Sequence, residues 1–155
     1  MPTIHLETFI SAPPHVCFDL ARSVDVHMAS TGDTGERAVA GVTSGMMNLG
    51  DEVTWEARHL GVRQRLTSRI TRMERPRLFV DEMQRGAFKR WHHTHTFLAR
   101  EGGTLMIDDA AYASPLGLLG RLADRLFLER YMTRLLEVRN AHIKRVAEGK
   151  GREIN

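Results

Sequence analysis

"SPLGLLGRLADRLFLERYMTRLLEVRNAHIKRVAEG", Ser114 to Gly149, is where the hydrophobic pattern of the chain changes period. Apolar residues recur there at helical spacing, with Ser114-Pro115 ahead of the run and Gly149 at its end. Tyr131, Leu135, Val138, His142 and Val146 form one stripe. The first half, with Leu116, Leu118, Leu119, Leu122, Leu126, Phe127 and Leu128, is apolar over more than one face and is expected to be covered on two sides. One long C-terminal helix ending at Gly149 is therefore expected.

What precedes it alternates with period two. "TIHLETFIS" (Thr3 to Ser11) reads as a first strand, with Ile4, Leu6 and Ile10 opposite His5, Glu7 and Ser11. "SAPPHVCFDLA" and "SVDVHMAS" then supply two short helices, the first opened by prolines. Thr31 to Gly50 is glycine-rich, with a short strand at Arg37 to Ala40. Five strand-like runs follow at hairpin spacing: Asp51 to Gly61, Val62 to Met73, Arg77 to Gln84, Lys89 to Arg100 and Thr104 to Ala113. Such a succession makes an antiparallel meander. A sheet of about six to seven strands and one long helix can bury their apolar faces only against each other, which predicts an α+β fold.

At 155 residues the chain is long enough for one sizeable core, so residues 1–149 are expected to form a single domain and 150–155 a tail. With 42% hydrophobic and 26% charged residues, the composition excludes global disorder. No apolar run can span a bilayer, so no stable membrane insertion is expected. The N-terminal residues lack a basic segment followed by an apolar one, and the expected location is cytoplasmic. The single cysteine, Cys17, excludes an internal disulfide and lies in a helix start, where a buried thiol is expected. A net charge of +3 is too small to imply nucleic acid. Arg63, Arg65 and Arg69 alternate with other residues as a solvated strand face does.

The chemistry concentrates in "RWHHTHTF", Arg90 to Phe97. In a strand, Trp91, His93, His95 and Phe97 share one face and His92 lies on the other. The aromatic bracket assigns His93 and His95 to the interior and His92 to the solvent side. If Gly102-Gly103 is a two-residue turn, Phe97 faces Asp108, His95 faces Ala110 and His93 faces Tyr112, with Asp108 diagonal to His95. If Gly86-Ala87-Phe88 connects the preceding pair, Met83 faces Trp91, Asp81 faces His93 and Phe79 faces His95. Asp81, His93, His95, Asp108 and Tyr112 then gather on one concave face among Trp55, Phe79, Met83, Trp91, Phe97 and Met106, leaving Leu105 and Ile107 outside.

In element order, and more specifically in Phe79, Asp81, Gly86, Phe88, Trp91, His93, His95 and Phe97 followed by Thr104, Asp108, Tyr112, Pro115 and Gly117, the chain resembles the helix-grip fold of the START-like and SRPBCC superfamily. The polyketide cyclase/dehydrase-like bacterial members are the most similar. The resemblance implies a cavity between sheet and helix, used in related proteins for hydrophobic or amphipathic small molecules. Lipid carriers, hormone receptors and aromatase/cyclases share this fold, so it does not choose a mechanism. The cysteine and histidine pattern of a Rieske centre is absent from the sequence, which removes the oxygenase branch.

The polar residues admit several roles. They can form a satisfied network that fixes strand register, or orient a ligand in a cavity lined also by Leu122. A carboxylate-held His93 or His95 could act as acid or base with Asp108, and Tyr112 could polarise a carbonyl. His93 and His95 are also a geometrically possible zinc pair, with Asp108 or Asp81 as third ligand, but such a site needs a matched third ligand and an outer shell. No metal or cofactor is assigned. The expectation is a small hydrophobic or amphipathic ligand as partner, with a cyclase/dehydrase-like enzyme as the alternative and an interaction or regulatory protein as a third. The apolar first half of the long helix leaves a homodimer open, although Leu118, Leu122 and Leu126 are expected to pack over the cavity.

Overall fold

The computed structural model describes residues 2–115 and 117–153. Leu116 and the last two residues of the expected tail lie outside the described residues. Strand β1 (Thr3–Ile10) is followed by α1 (Pro14–Ala21), α2 (Val24–Ser30) and a single 3-10 turn. The chain then runs through β2 (Arg37–Gly41), β3 (Glu52–His59), β4 (Val62–Glu74), β5 (Leu78–Arg85), β6 (Arg90–Arg100) and β7 (Gly103–Ala113). It ends with α3 (Gly117–Ala123), a π-helical segment (Asp124–Leu128) and α4 (Glu129–Glu153). The strands form one antiparallel sheet in the order β1-β7-β6-β5-β4-β3-β2, the α+β arrangement expected. Among the described residues, no helix is long and apolar enough to cross a membrane.

Local chemistry accounts for the short elements. Pro14 opens α1, where its missing N–H costs nothing, and Ser23 caps α2 by accepting the Val26 N–H at 3.2 Å. Leu60 and Gly61 both take positive φ in the two-residue turn between β3 and β4, which matches the twist of the strands it joins. Two register shifts in β4, between Thr67 and Ser68 and between Ile70 and Arg72, bend the middle of the sheet. Cys17 is buried in α1, and burial raises its thiol pKa. Arg63 and Arg65 lie on the solvent side, where both approach Glu56.

The alternation of β6 and β7 decides which side chains face the helices. Trp91, His93, His95 and Phe97 are buried from β6, and Thr104, Met106, Asp108, Ala110 and Tyr112 from β7. Leu105 and Ile107 point to the outer face, as their spacing requires, and remain half-buried. The β6/β7 register differs from expectation by two residues: Arg100 pairs with Gly103, so Phe97 faces Met106 and His95 faces Asp108 directly. The turn is Glu101-Gly102, because Gly103 is needed inside the strand. A Cβ at Gly103 would stand 2.1 Å from the Ile10 carbonyl oxygen at the end of β1. A two-residue slip preserves faces, which is why the inward set survives it.

The C-terminal helix departs from expectation in three ways. It is interrupted by the π-helical segment that separates α3 from α4. Leu118, Leu119, Leu122, Leu126 and Phe127 are exposed, Leu122 by 57%, and do not pack over the cavity, because α3 packs chiefly on the π-helical segment and not on the sheet. The buried face of α4 is Leu136, Arg139, Asn140, Ile143 and Ala147, rotated from the Tyr131 to Val146 stripe, whose members are only half-buried. Finally, α4 continues through Gly149 to Glu153, since the glycine faces open space and has no need to terminate the helix.

These two glycines should therefore respond oppositely to alanine. Gly103→Ala is expected to destabilise the fold by about 2 kcal/mol through a backbone clash. Gly149→Ala should stabilise it by about 0.5–1 kcal/mol. Urea denaturation of both variants measures the contrast.

Candidate functional site

Asp108 is fully buried near the middle of β7, where an unpaired carboxylate would cost several kcal/mol. Its Oδ1 receives the His93 Nε2 hydrogen bond at 2.9 Å, and His95 Nδ1 stands 3.0 Å from the same oxygen. Two residues of α4 complete the set. Asn140 donates its Nδ2 to Asp108 Oδ2 at 2.7 Å, and Arg139 Nη1 approaches Oδ1 at 3.4 Å. Arg139, itself buried, also reaches the Ala21 carbonyl at 3.3 Å and the Asn140 side-chain oxygen at 3.0 Å. Strand, helix and helix are joined through one carboxylate.

Asp81, half-buried on β5, faces His93 across the strand pair. Its Oδ2 is nevertheless closest to His95 Nε2, at 2.8 Å, with His93 Nδ1 at 3.9 Å. The imidazoles stand 3.8 Å apart between centroids, His95 stacked on Phe79 at 4.2 Å and His93 edge-on to Trp91 at 5.9 Å. Aromatic walls thus hold both rings in the orientation that meets the two carboxylates.

The electrostatics follow from burial opposed by pairing. Burial pushes Asp108 upward, but the hydrogen bonds from His93 and His95 and the Arg139 charge outweigh it and hold the carboxyl well below its ordinary value. Asp81 is lowered in the same way, against burial, by the His95 hydrogen bond and the nearby His93. His93 is lowered, first by burial and then by the neighbouring His95, despite its contact with Asp108.

A cavity of about 240 Å³, partly open to solvent, lies between the sheet and α4. Of the residues expected there, Trp55, Phe79, Asp81, Trp91, His93 and His95 line it. Met83, Phe97, Met106, Asp108, Tyr112 and Leu122 do not. Phe97 and Met106 belong to the apolar core around Phe18, Tyr112 and Met83 pack with Trp91, and Asp108 sits behind the histidines. His92 turns outward beside Glu82, 3.7 Å away.

Sequence reasoning missed Arg139 and Asn140, which lie outside the Tyr131 to Val146 stripe. The available signal was the Leu136, Ile143 and Ala147 spacing, which places residues 139 and 140 on the buried face. It also missed a second polar group on the cavity wall. His27 Nε2 lies 2.7 Å from Glu36 Oε1, its ring 4.3 Å from that of Trp55, and His59 Nδ1 lies 2.8 Å from the Tyr131 hydroxyl. All five side chains line the same cavity. They come from four separate segments, which no local pattern connects.

No protein-family model and no curated protein matches the sequence. Solved structures do. Protein TTHA0849 from Thermus thermophilus is 20% identical with a TM-score of 0.73, covering 92% of this chain and 97% of that one. Major latex-like protein 151 from Panax ginseng is 14% identical with a TM-score of 0.70, covering 94% of this chain and 97% of that one. Protein SA2116 from Staphylococcus aureus is 11% identical with a TM-score of 0.73, covering 97% and 96%. At such identities the likeness shows the fold, and that fold is the helix grip.

Replacing Arg139 with leucine should cost about 3–5 kcal/mol by leaving Asp108 a buried charge without its cation. The acid limb provides a second check. Because the Asp108 pKa is depressed on folding, its contribution is complete above the unfolded value of about 3.9 and is lost as pH falls through the folded value. The urea midpoint should therefore drop below about pH 4 in the wild type and drop less in Asp108→Asn.

Proposed function

We propose that this protein binds a small amphipathic molecule in the cavity between the sheet and α4. The polar end of the ligand points to Asp81, His93, His95 and Arg139, and its apolar part lies among Trp55, Phe79, Phe88, Trp91 and Leu136. The observation that carries this reading is one cavity with aromatic and aliphatic walls and a compact group of hydrogen-bonding side chains in its lining. A volume of about 240 Å³ lies below the roughly 300–1,000 Å³ of pockets that take drug-sized molecules. The part of the ligand held inside the cavity is accordingly compact. A cytoplasmic, reducing setting belongs to this reading and draws support from the single buried thiol of Cys17.

A cyclase/dehydrase-like activity is the second reading. What favours it is His95, which approaches a carboxylate oxygen from each ring nitrogen and borders the cavity. Tyr112 is fully buried and absent from the cavity lining, so acid/base work in this scheme falls to His93 and His95. The interaction reading draws on the exposed Leu118, Leu119, Leu126 and Phe127, a surface that a homodimer would cover.

Native mass spectrometry of protein purified from its own host is expected to show a retained small molecule. Both tryptophans of the chain line the cavity, so rebinding should change the intrinsic fluorescence, and Trp91→Phe should reduce that change. Asp81→Asn should weaken rebinding at least about tenfold by removing a charged hydrogen-bond partner. Empty preparations, together with fluorescence insensitive to every compact amphipathic probe tried, would remove the binding reading.

A further inference from the structure

Three ligand-type atoms converge on one side of the cavity. Asp81 Oδ2 lies 2.8 Å from His95 Nε2 and 3.9 Å from His93 Nδ1, and one ligand-type atom from each residue falls within 4.8 Å of the others. A tetrahedral ion with bonds of about 2.0–2.2 Å to imidazole nitrogen and carboxylate oxygen separates its ligands by about 3.3 Å. That spacing falls between the two measured separations.

The opposite ring nitrogens are equally specific. His93 donates Nε2–H to Asp108 Oδ1 at 2.9 Å, and His95 Nδ1 lies 3.0 Å from that same oxygen. A neutral His93 with its proton on Nε2 keeps a lone pair on Nδ1, on the side of the Asp81 anion. Lone pair and anion repel unless a donor or a cation stands between them, and a metal ion is one species that meets both. A carboxylate behind each imidazole is the arrangement that orients metal-ligating histidines and increases their basicity. Asp108 serves both rings at once and is itself held by Asn140 at 2.7 Å and Arg139 at 3.4 Å.

We propose that Asp81, His93 and His95 form a site for one divalent transition-metal ion, for which zinc is the best match, with Asp108 as the shared outer partner of both imidazoles. Two nitrogen ligands and one carboxylate are the set of an open zinc site, in which the remaining position takes water or a ligand oxygen. All three residues line the cavity, so that position opens on its interior. Arg139 Nη2 lies 3.5 Å from His95 Nδ1, and the Asp108 carboxylate, 3.4 Å from Arg139 Nη1, offsets the guanidinium charge. The proposal does not depend on an organic ligand occupying the cavity.

The test uses the full chain, stripped with chelator and titrated with zinc chloride alone. Calorimetry and elemental analysis after gel filtration should give one zinc per chain. Asp81→Asn and His93→Gln should each weaken binding at least about 100-fold, and Asp108→Asn about 10–100-fold. His92→Gln, on the opposite face, should leave it unchanged. Circular dichroism confirms that each variant is folded. Cobalt(II) supplies a readout that needs no variant: the intense visible bands of a four- or five-coordinate ion support the proposal, and the weak spectrum of an octahedral ion overturns it. Uptake below about 0.1 equivalent by the wild type would overturn it too. So would one equivalent that survives Asp81→Asn and His93→Gln but is lost in His5→Gln, which would locate the ion at the exposed His5, Glu7 and Asp109 group.

Discussion

A carboxylate fully removed from water near the middle of β7 constrains everything around it. Asp108 can be buried only if charge and hydrogen bonds meet it from several directions, and strands alone do not supply enough. β6 contributes two imidazoles, and the remaining partners come from α4, which must therefore present Arg139 and Asn140 to the sheet instead of to solvent. Helix rotation and helix height are both fixed by satisfying this one group. Hydrophobic burial drives the helix onto the sheet, but it is nearly indifferent to a rotation that exchanges one apolar stripe for another. The polar contacts remove that freedom.

The same group divides the interior. An apolar cluster around Phe18, Phe79, Phe97 and Ile143 lies on one side, and another around Trp91, Tyr112 and Leu136 on the other. His93 and His95 stand between them, packed by rings from both: Phe79 against His95 and Trp91 against His93. This packing lets two titratable side chains remain ordered at a cavity wall. Their outer nitrogens serve the fold through Asp108, and their inner nitrogens meet Asp81 beside the cavity, so structural and chemical roles are carried by opposite edges of the same rings.

Much of this was legible in the residues themselves. Alternation through Trp91, His93, His95 and Phe97 identified the inward pair and excluded His92, and the β5/β6 register brought Asp81 and Phe79 opposite His93 and His95 as expected. The β6/β7 register was not legible, because Gly102-Gly103 looks like a turn whichever glycine occupies it. Its true setting depends on the approach of Ile10, far earlier in the chain, to the backbone of Gly103. Leu122 illustrates the other kind of limit. Its apolar character is plain, but whether it is covered depends on where α3 lies relative to the sheet, and beyond a π-helical break that no periodicity announces the sheet does not cover it.

The sequence by itself determined the order of elements, the α+β class, the inward face of each central strand and the identity of the two interior histidines. These are local properties: a strand alternates and a helix repeats wherever it is placed. Only the tertiary structure decided that Arg139 and Asn140 face Asp108, that Glu36, His27, His59 and Tyr131 border the same cavity, and that Asp81 meets both imidazoles. Such groupings join residues far apart in the chain, and their energy exists only once water has been excluded between them. A buried carboxylate pulls a polar helix face inward because the alternative, an unpaired charge in a low dielectric, costs more than any local preference can offset.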